Sequence, residues 1–141
     1  MAIIKRETDY ALRALAKLAR AREFLSVSAL AQEEGVPELF LRKIMQRLHA
    51  AGIVESHQGP FGGYNLALPP GEVTLLDVVE TVQGPLVMNE CFSAPDVCGR
   101  TGICPIQARL TELQVELNAQ LAEVTIADVV GQVPSAEETV R

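Results

Sequence analysis

Tryptophan is absent from this chain, and two tyrosines and four phenylalanines are its only aromatics. Hydrophobic residues make up 48% and charged residues 21%, so there is material for a core, and that core is aliphatic. No apolar run approaches the roughly 20 residues of a membrane-spanning helix, so no membrane partner is expected. The opening MAIIKRETDY turns charged and amphipathic at once. That is not a secretory pattern, and it points to the cytoplasm. Paired carboxylates in a cleft context, a nucleophile–histidine constellation and a phosphate loop are all missing, which argues against an enzyme. Cysteine is scarce, with three in 141 residues. An odd number leaves one over from any disulfide framework. In a reducing compartment, clustered cysteines are more often metal-binding or redox-active than structural.

A large excess of positive charge is also lacking. The net charge is −6, unpromising for a nucleic-acid binder. It is unevenly spread, however. Residues 1–64 carry nine Lys/Arg against seven Asp/Glu, whereas residues 65–141 carry three against eleven. Affinity for DNA follows local phosphate contacts rather than total charge. A mildly basic front and an acidic back would orient the chain on DNA.

Residues 6–22, RETDYALRALAKLARAR, have helical spacing at Tyr10, Leu12, Leu15, Leu18 and Ala19. Thr8 or Asp9 falls near the start, where a cap or a dipole-favoured acid belongs. Residues 28–34 predict a short second helix capped by Ser26 or Ser28 and ended by Gly35. Pro37 is expected to open a third helix, PELFLRKIMQRLHAA, stopped by Gly52. Leu41, Ile44 and Leu48 form its buried stripe. Residues 53–57 and 64–68 read as strands around the glycine-rich turn 58–63. Helix, turn, helix and hairpin is the order of a winged helix-turn-helix. Residues 1–70 are taken as that domain, closed by Pro69-Pro70-Gly71.

Residues 71–130 then supply a linker helix over 74–82, a cysteine loop and a long helix over 106–123. Ile106, Leu110, Leu113, Leu117 and Leu121 fall in one seam of that helix, spaced for a coiled-coil-like contact. Such a seam most simply pairs with its own copy, making a homodimer. Residues 126–130 add one more helical turn, and the polar tail 131–141 is expected to be flexible. The fold class is therefore mainly α with a small β-hairpin wing, extended by a long C-terminal dimerisation helix.

In a helix-turn-helix the second helix enters the major groove. Arg42 can pair bidentately with guanine, Gln46 with adenine, and Glu38 can accept from cytosine. Lys43 and Arg47 are placed to hold phosphates. In the wing, Gly59, Gly62 and Gly63 permit backbone conformations closed to other residues and a close approach to a sugar–phosphate backbone. Gln58 and Pro60 belong to the same turn.

All three cysteines fall in CFSAPDVCGRTGIC, as Cys91, Cys98 and Cys104 with spacing C-x6-C-x5-C. Four readings stand: buried apolar fillers, a zinc site, a thiol–disulfide switch, or an iron–sulfur cluster. The loop is polar and irregular, which counts against the first. Zinc sites favour paired knuckles and four good ligands. A cluster takes four ligands, mostly thiolates, so three cysteines need a donor from elsewhere.

DYALRALAKLA in the first helix, QGPFGGYNL in the wing, TLLDVVETV after it and three cysteines before a long helix resemble the winged-helix regulators typified by IscR, NsrR and RirA. The resemblance covers residues 1 to about 130. It implies a homodimer on pseudo-palindromic operator DNA, with a cluster near the dimer interface biasing the DNA-binding conformation. Carried over by position, Cys91, Cys98 and Cys104 would be the cluster thiolates. Gln107 stands where the cluster-assembly regulator of the family has its His ligand, and glutamine is a poor iron ligand. Asp9 matches the aspartate that the nitric-oxide sensor contributes across subunits, and is the expected fourth ligand. Leu39 and Arg42 match base-reading positions. Gln58 replaces an arginine at the start of the wing, and Arg42 an acidic reader, so the operator should differ. The expected function is a DNA-binding transcriptional repressor. Its operator binding would be controlled by a 2Fe–2S or 4Fe–4S cluster sensing iron, redox or nitric-oxide status. The rival is a cluster-free winged-helix regulator switched by cysteine oxidation or by a partner protein.

Overall fold

The computed structural model describes residues 2–88 and 104–131. Cys91, Cys98 and the tail beyond residue 131 lie outside the described residues. Helix α1 (Arg6–Ala21) is the element on which the others pack. Ala11, Ala14, Leu15 and Leu18 are buried along it, and Tyr10, Leu12 and Ala19 flank the core. The helix stops at Arg22, which adopts a left-handed φ of 55° and donates its N–H to the Leu18 carbonyl. Its start meets the expectation of a dipole-favoured acid but not that of a side-chain cap at Thr8 or Asp9. Lys5 holds the N-cap position with no side-chain cap, and Asp9 lies in the first turn, where the macrodipole favours an acid. Thr8 is fully buried and its hydroxyl is used elsewhere.

Helix α2 (Val27–Glu34) is capped by Ser26, whose side chain accepts from the Ala29 N–H at 3.1 Å. Gly35 ends it with φ +66°. Helix α3 (Glu38–Ala50) begins one residue later than expected. Pro37 is its N-cap, with ψ 127°, and its carbonyl accepts from the Leu41 N–H at 3.1 Å. Proline imposes no helical ψ on itself, so it can stand just outside the helix as readily as just inside. Leu41, Ile44, Met45 and Leu48 face the core; the sequence stripe had omitted Met45.

Strands β1 (Val54–His57) and β2 (Gly63–Leu66) pair antiparallel, with Val54 opposite Leu66 and His57 opposite Gly63. The hairpin is tied down at its base. Leu25 and Tyr64 exchange backbone hydrogen bonds of 2.9 and 2.8 Å, so the link between α1 and α2 acts as a one-residue third strand. A two-stranded hairpin is marginal alone, and this bridge fixes it to the helical core.

A 3₁₀ turn (Pro70–Glu72) leads into α4 (Leu75–Gln83). Thr74 and Asp77 form a reciprocal capping box at its start. Val78, Val79 and Val82 are buried. Helix α5 (Pro105–Glu123) buries none of its own residues, and α6 (Ile126–Gly131) returns to α1. Ile126 is fully buried and its N–H donates to the Val73 carbonyl at 2.9 Å. Burying such a side chain stabilises by roughly 1.5–3 kcal/mol. The core thus draws on residues either side of Pro69-Pro70-Gly71: Val73, Val78, Val82 and Ile126 share one cluster with Leu15, Leu30 and Leu48. Among the described residues no helix is long and apolar enough to cross a membrane.

Candidate nucleic-acid interface and metal centre

Burial of Leu41, Ile44, Met45 and Leu48 forces the opposite face of α3 outward. Glu38, Leu39, Arg42, Lys43 and Gln46 are all exposed there. Leu39 is 77% exposed, which no packing role explains. Arg42 Nη2 donates to Glu38 Oε1 at 2.8 Å, and the same oxygen accepts from the Ser28 hydroxyl at 2.7 Å. The hydrogen bond from the Ser28 hydroxyl, with the Arg42 guanidinium adding to it, lowers the pKa of the Glu38 carboxyl against the opposing effect of desolvation.

Arg47 stands apart from this face. Its Nη1 donates to the Val82 carbonyl at 2.8 Å and approaches Glu7 Oε2 at 3.5 Å. The residue expected at a phosphate thus braces α3 against the last turn of α4. Sequence reasoning had no signal for this, since the acceptor is a backbone carbonyl 35 positions away.

A cleft of about 470 Å³ separates α3 from the wing. Ser28 and Arg42 line one side, and His57, Gln58, Gly59, Gly62 and Gly63 the other. The wing glycines differ in their reasons. A Cβ on Gly62 would lie 2.1 Å from the His57 carbonyl oxygen, and one on Gly63 would lie 2.2 Å from that of Leu25. Both glycines are therefore required by the protein's own packing, whatever approaches from outside. Gly59, at φ +116°, faces open space. Pro60 and Gln58 are exposed in the same turn. Phe61, at the tip, is 90% exposed and was not singled out from the sequence. A lone phenylalanine among glycines carries no periodicity that would mark it.

Cys104 is half-buried, free of any disulfide, and holds the N-cap position of α5. A helix start favours negative charge, which suits a thiolate ligand. Asp9 projects from α1 and pairs with Arg13 Nε at 3.0 Å, both side chains about half exposed. An exposed i,i+4 pair is worth only about 0.3–0.5 kcal/mol, too little to withhold Asp9 from a metal. Among the described residues no three His, Cys, Asp or Glu side chains converge; Cys91 and Cys98 are outside them. A set of three thiols and one carboxylate is chemically suited to an iron–sulfur cluster. Gln107 lies half-buried in the first turn of α5.

The outer face of α5 carries Ile106 at 64% and Leu113 at 48% exposure, with Leu110, Leu117 and Leu121 partly covered. The helix leans on α4, and Gln114 Oε1 accepts from the Met88 N–H at 2.8 Å.

A helix-turn-helix with an exposed polar second helix, a hairpin wing beside it and a cysteine at the head of a long C-terminal helix define a winged-helix DNA-binding regulator. Residues 4–132 match the Rrf2 family, described as iron-dependent transcriptional regulators, and the chain belongs to that family. Protein aau3 of Rhizobium meliloti is 38% identical over 129 residues, covering 90% of this chain and 84% of the relative. The HTH-type transcriptional regulator NsrR of Bacillus subtilis is 30% identical over 126 residues, covering 87% and 86%. The crystal structure of the oxidized form of Staphylococcus aureus CymR shares the fold, with a TM-score of 0.74 at 22% identity over 96% of this chain and all of that one. The protein is a DNA-binding transcriptional regulator and not an enzyme. The resemblance drawn from the first helix, wing and cysteine segment is borne out at the level of family and fold.

Proposed function

We propose that this regulator is a homodimeric repressor whose operator binding is set by an iron–sulfur cluster on Cys91, Cys98, Cys104 and Asp9 of the other subunit. The observation that carries this reading is the position of Cys104. It holds the N-cap position of the helix on which Ile106 and Leu113 are exposed. A bound cluster would supply redox- and ligand-sensitive iron, and its thiolate set would fix the start of α5. Asp9 sits on α1, against which α3, α4 and α6 pack. A ligand drawing together Cys104 of one subunit and Asp9 of the other acts only through its difference in affinity for the two arrangements. The side chains of α3 then meet the operator at one spacing or another, and half-sites about one helical turn apart select between them.

Anaerobic reconstitution with iron and sulfide tests this. The expected result is visible charge-transfer absorption that Cys91→Ala, Cys98→Ala and Cys104→Ala each remove, with operator affinity changing in parallel. No absorption from wild-type protein sinks the cluster reading. A second reading has its own support: the fold is shared with CymR, whose structure is described in an oxidized form. In that reading cysteine oxidation is the switch. Cluster-free protein would then change operator affinity on oxidation and recover with thiol reductant.

A further inference from the structure

The two helices of the helix-turn-helix are joined by a polar chain of three side chains. Ser26 caps α2 and thereby fixes Ser28 in its first turn. The Ser28 hydroxyl donates to Glu38 Oε1 at 2.7 Å, and Arg42 Nη2 donates to that same oxygen at 2.8 Å. Glu38 is the first residue of α3 and Arg42 stands one turn on, so the pair has i,i+4 geometry. As a source of stability it is minor, because both side chains are about half exposed and water screens the pair. Its consequence is orientational. Arginine is a long side chain with many rotamers, and base recognition requires its planar fork in one pose. One of its five N–H donors is spent on Glu38, and the residue lines the cleft between α3 and the wing.

We propose that Glu38 is a positioning residue for Arg42 and does not itself read a base. Glu38 Oε1 is doubly engaged before DNA arrives, whereas Arg42 retains donors for a bidentate contact with guanine O6 and N7. Glu38 also partly neutralises Arg42. That lowers its attraction for any phosphate and leaves its contribution weighted towards the correct base. Ser28 sets the orientation of Glu38, so specificity in α3 depends on a serine in α2. This inference rests on α3 being the base-reading helix.

The test is selection of sites from a random-sequence duplex DNA library by the full-length chain, purified without oxygen. Wild type, Arg42→Ala, Glu38→Ala, Glu38→Gln and Ser28→Ala are compared, with circular dichroism confirming that each is folded. Arg42→Ala is expected to lose a guanine preference at one position per half-site, on the order of 10-fold. Glu38→Ala should lose much of the preference at that same position and no other. Glu38→Gln should restore part of it, since an amide oxygen still accepts from Ser28 and Arg42. Ser28→Ala should show a smaller loss there. If Glu38→Ala instead alters a different, cytosine-bearing position, Glu38 is a reader and the inference is overturned. It is equally overturned if Arg42→Ala loses the preference and Glu38→Ala keeps it. If Arg42→Ala leaves every position unchanged, the assignment of α3 fails as well, which separates the two failures.

Discussion

The hydroxyl of Thr8 donates a 2.6 Å hydrogen bond to Oε1 of Gln83, joining the start of α1 to the end of α4 across 75 positions of sequence. Gln83 makes three such bonds. Its Oε1 also accepts from the Lys5 N–H at 3.0 Å, and its Nε2 donates to the Ile3 carbonyl at 3.0 Å. Thr8 is the one polar residue among the buried side chains described. Thr8→Val keeps the shape and removes one hydrogen bond, while Gln83→Ala removes three. We expect losses of about 1 kcal/mol for the first and about 2–3 kcal/mol for the second. Urea unfolding at fixed protein concentration checks this as a shift in midpoint at constant slope. Equal effects of the two substitutions would show that Gln83 is not the hub.

Lys43 and Arg47 were alike in sequence but differ in structure, and salt dependence separates them. Lys43 is exposed on the outer face of α3. Arg47 is committed to the Val82 carbonyl and Glu7. Lys43→Ala should lower the slope of log affinity against log salt by about 1 without changing stability. Arg47→Ala should leave that slope unchanged and lower stability by about 1–2 kcal/mol, through loss of a charged hydrogen bond. A reduced slope for Arg47→Ala would return it to the phosphate contacts.

The contrast shows what a sequence of this kind discloses. The period of apolar residues placed α1, α3 and α5 within a residue or two, because burial on one face is a local pattern. Glycine and proline marked the ends of α2 and the wing, because their φ limits are local too. The Thr74–Asp77 capping box is local in the same sense, a threonine and an acid three residues apart. Arg47, Thr8 and Ser28 were not legible in this way. Each acts through a partner 10 to 75 positions away, and two of the three were assigned local roles that the fold overrides. The return of Ile126 to the α1 core was hidden for the same reason.

The wing supplies a graded prediction. Gly63 has φ +143° and no room for a Cβ beside the Leu25 carbonyl, the group that accepts from the Tyr64 N–H. Gly63→Ala must displace the backbone that ties the hairpin to α1, so a loss of roughly 2–4 kcal/mol is expected. Gly59→Ala meets no neighbour and bears only the cost of φ +116°, about 1–2 kcal/mol. Gly71→Ala, with open space, should be near neutral. Thermal melting of the three variants gives the order. If Gly59→Ala proves the most harmful, the wing is not held at its base as described.

The last prediction concerns α5. Its Ile106 and Leu113 are exposed and its Leu110, Leu117 and Leu121 only partly covered, on a helix that buries none of its own residues. A seam of this kind left to solvent forgoes roughly 25 cal/mol for each Å² of apolar surface that a partner would cover. A second copy has the same seam, and a two-fold contact needs no other partner. Leu113→Glu places a charge in the middle of that contact, and Val115→Glu places one on the opposite, exposed side of the helix. Sedimentation should give wild type and Val115→Glu at twice 15.2 kDa and Leu113→Glu at 15.2 kDa. The monomeric variant should also bind a single half-site with lower affinity than the dimer binds two, since the second half-site contact becomes intramolecular only in the dimer. A Leu113→Glu variant that stays dimeric would place the subunit contact elsewhere on the chain.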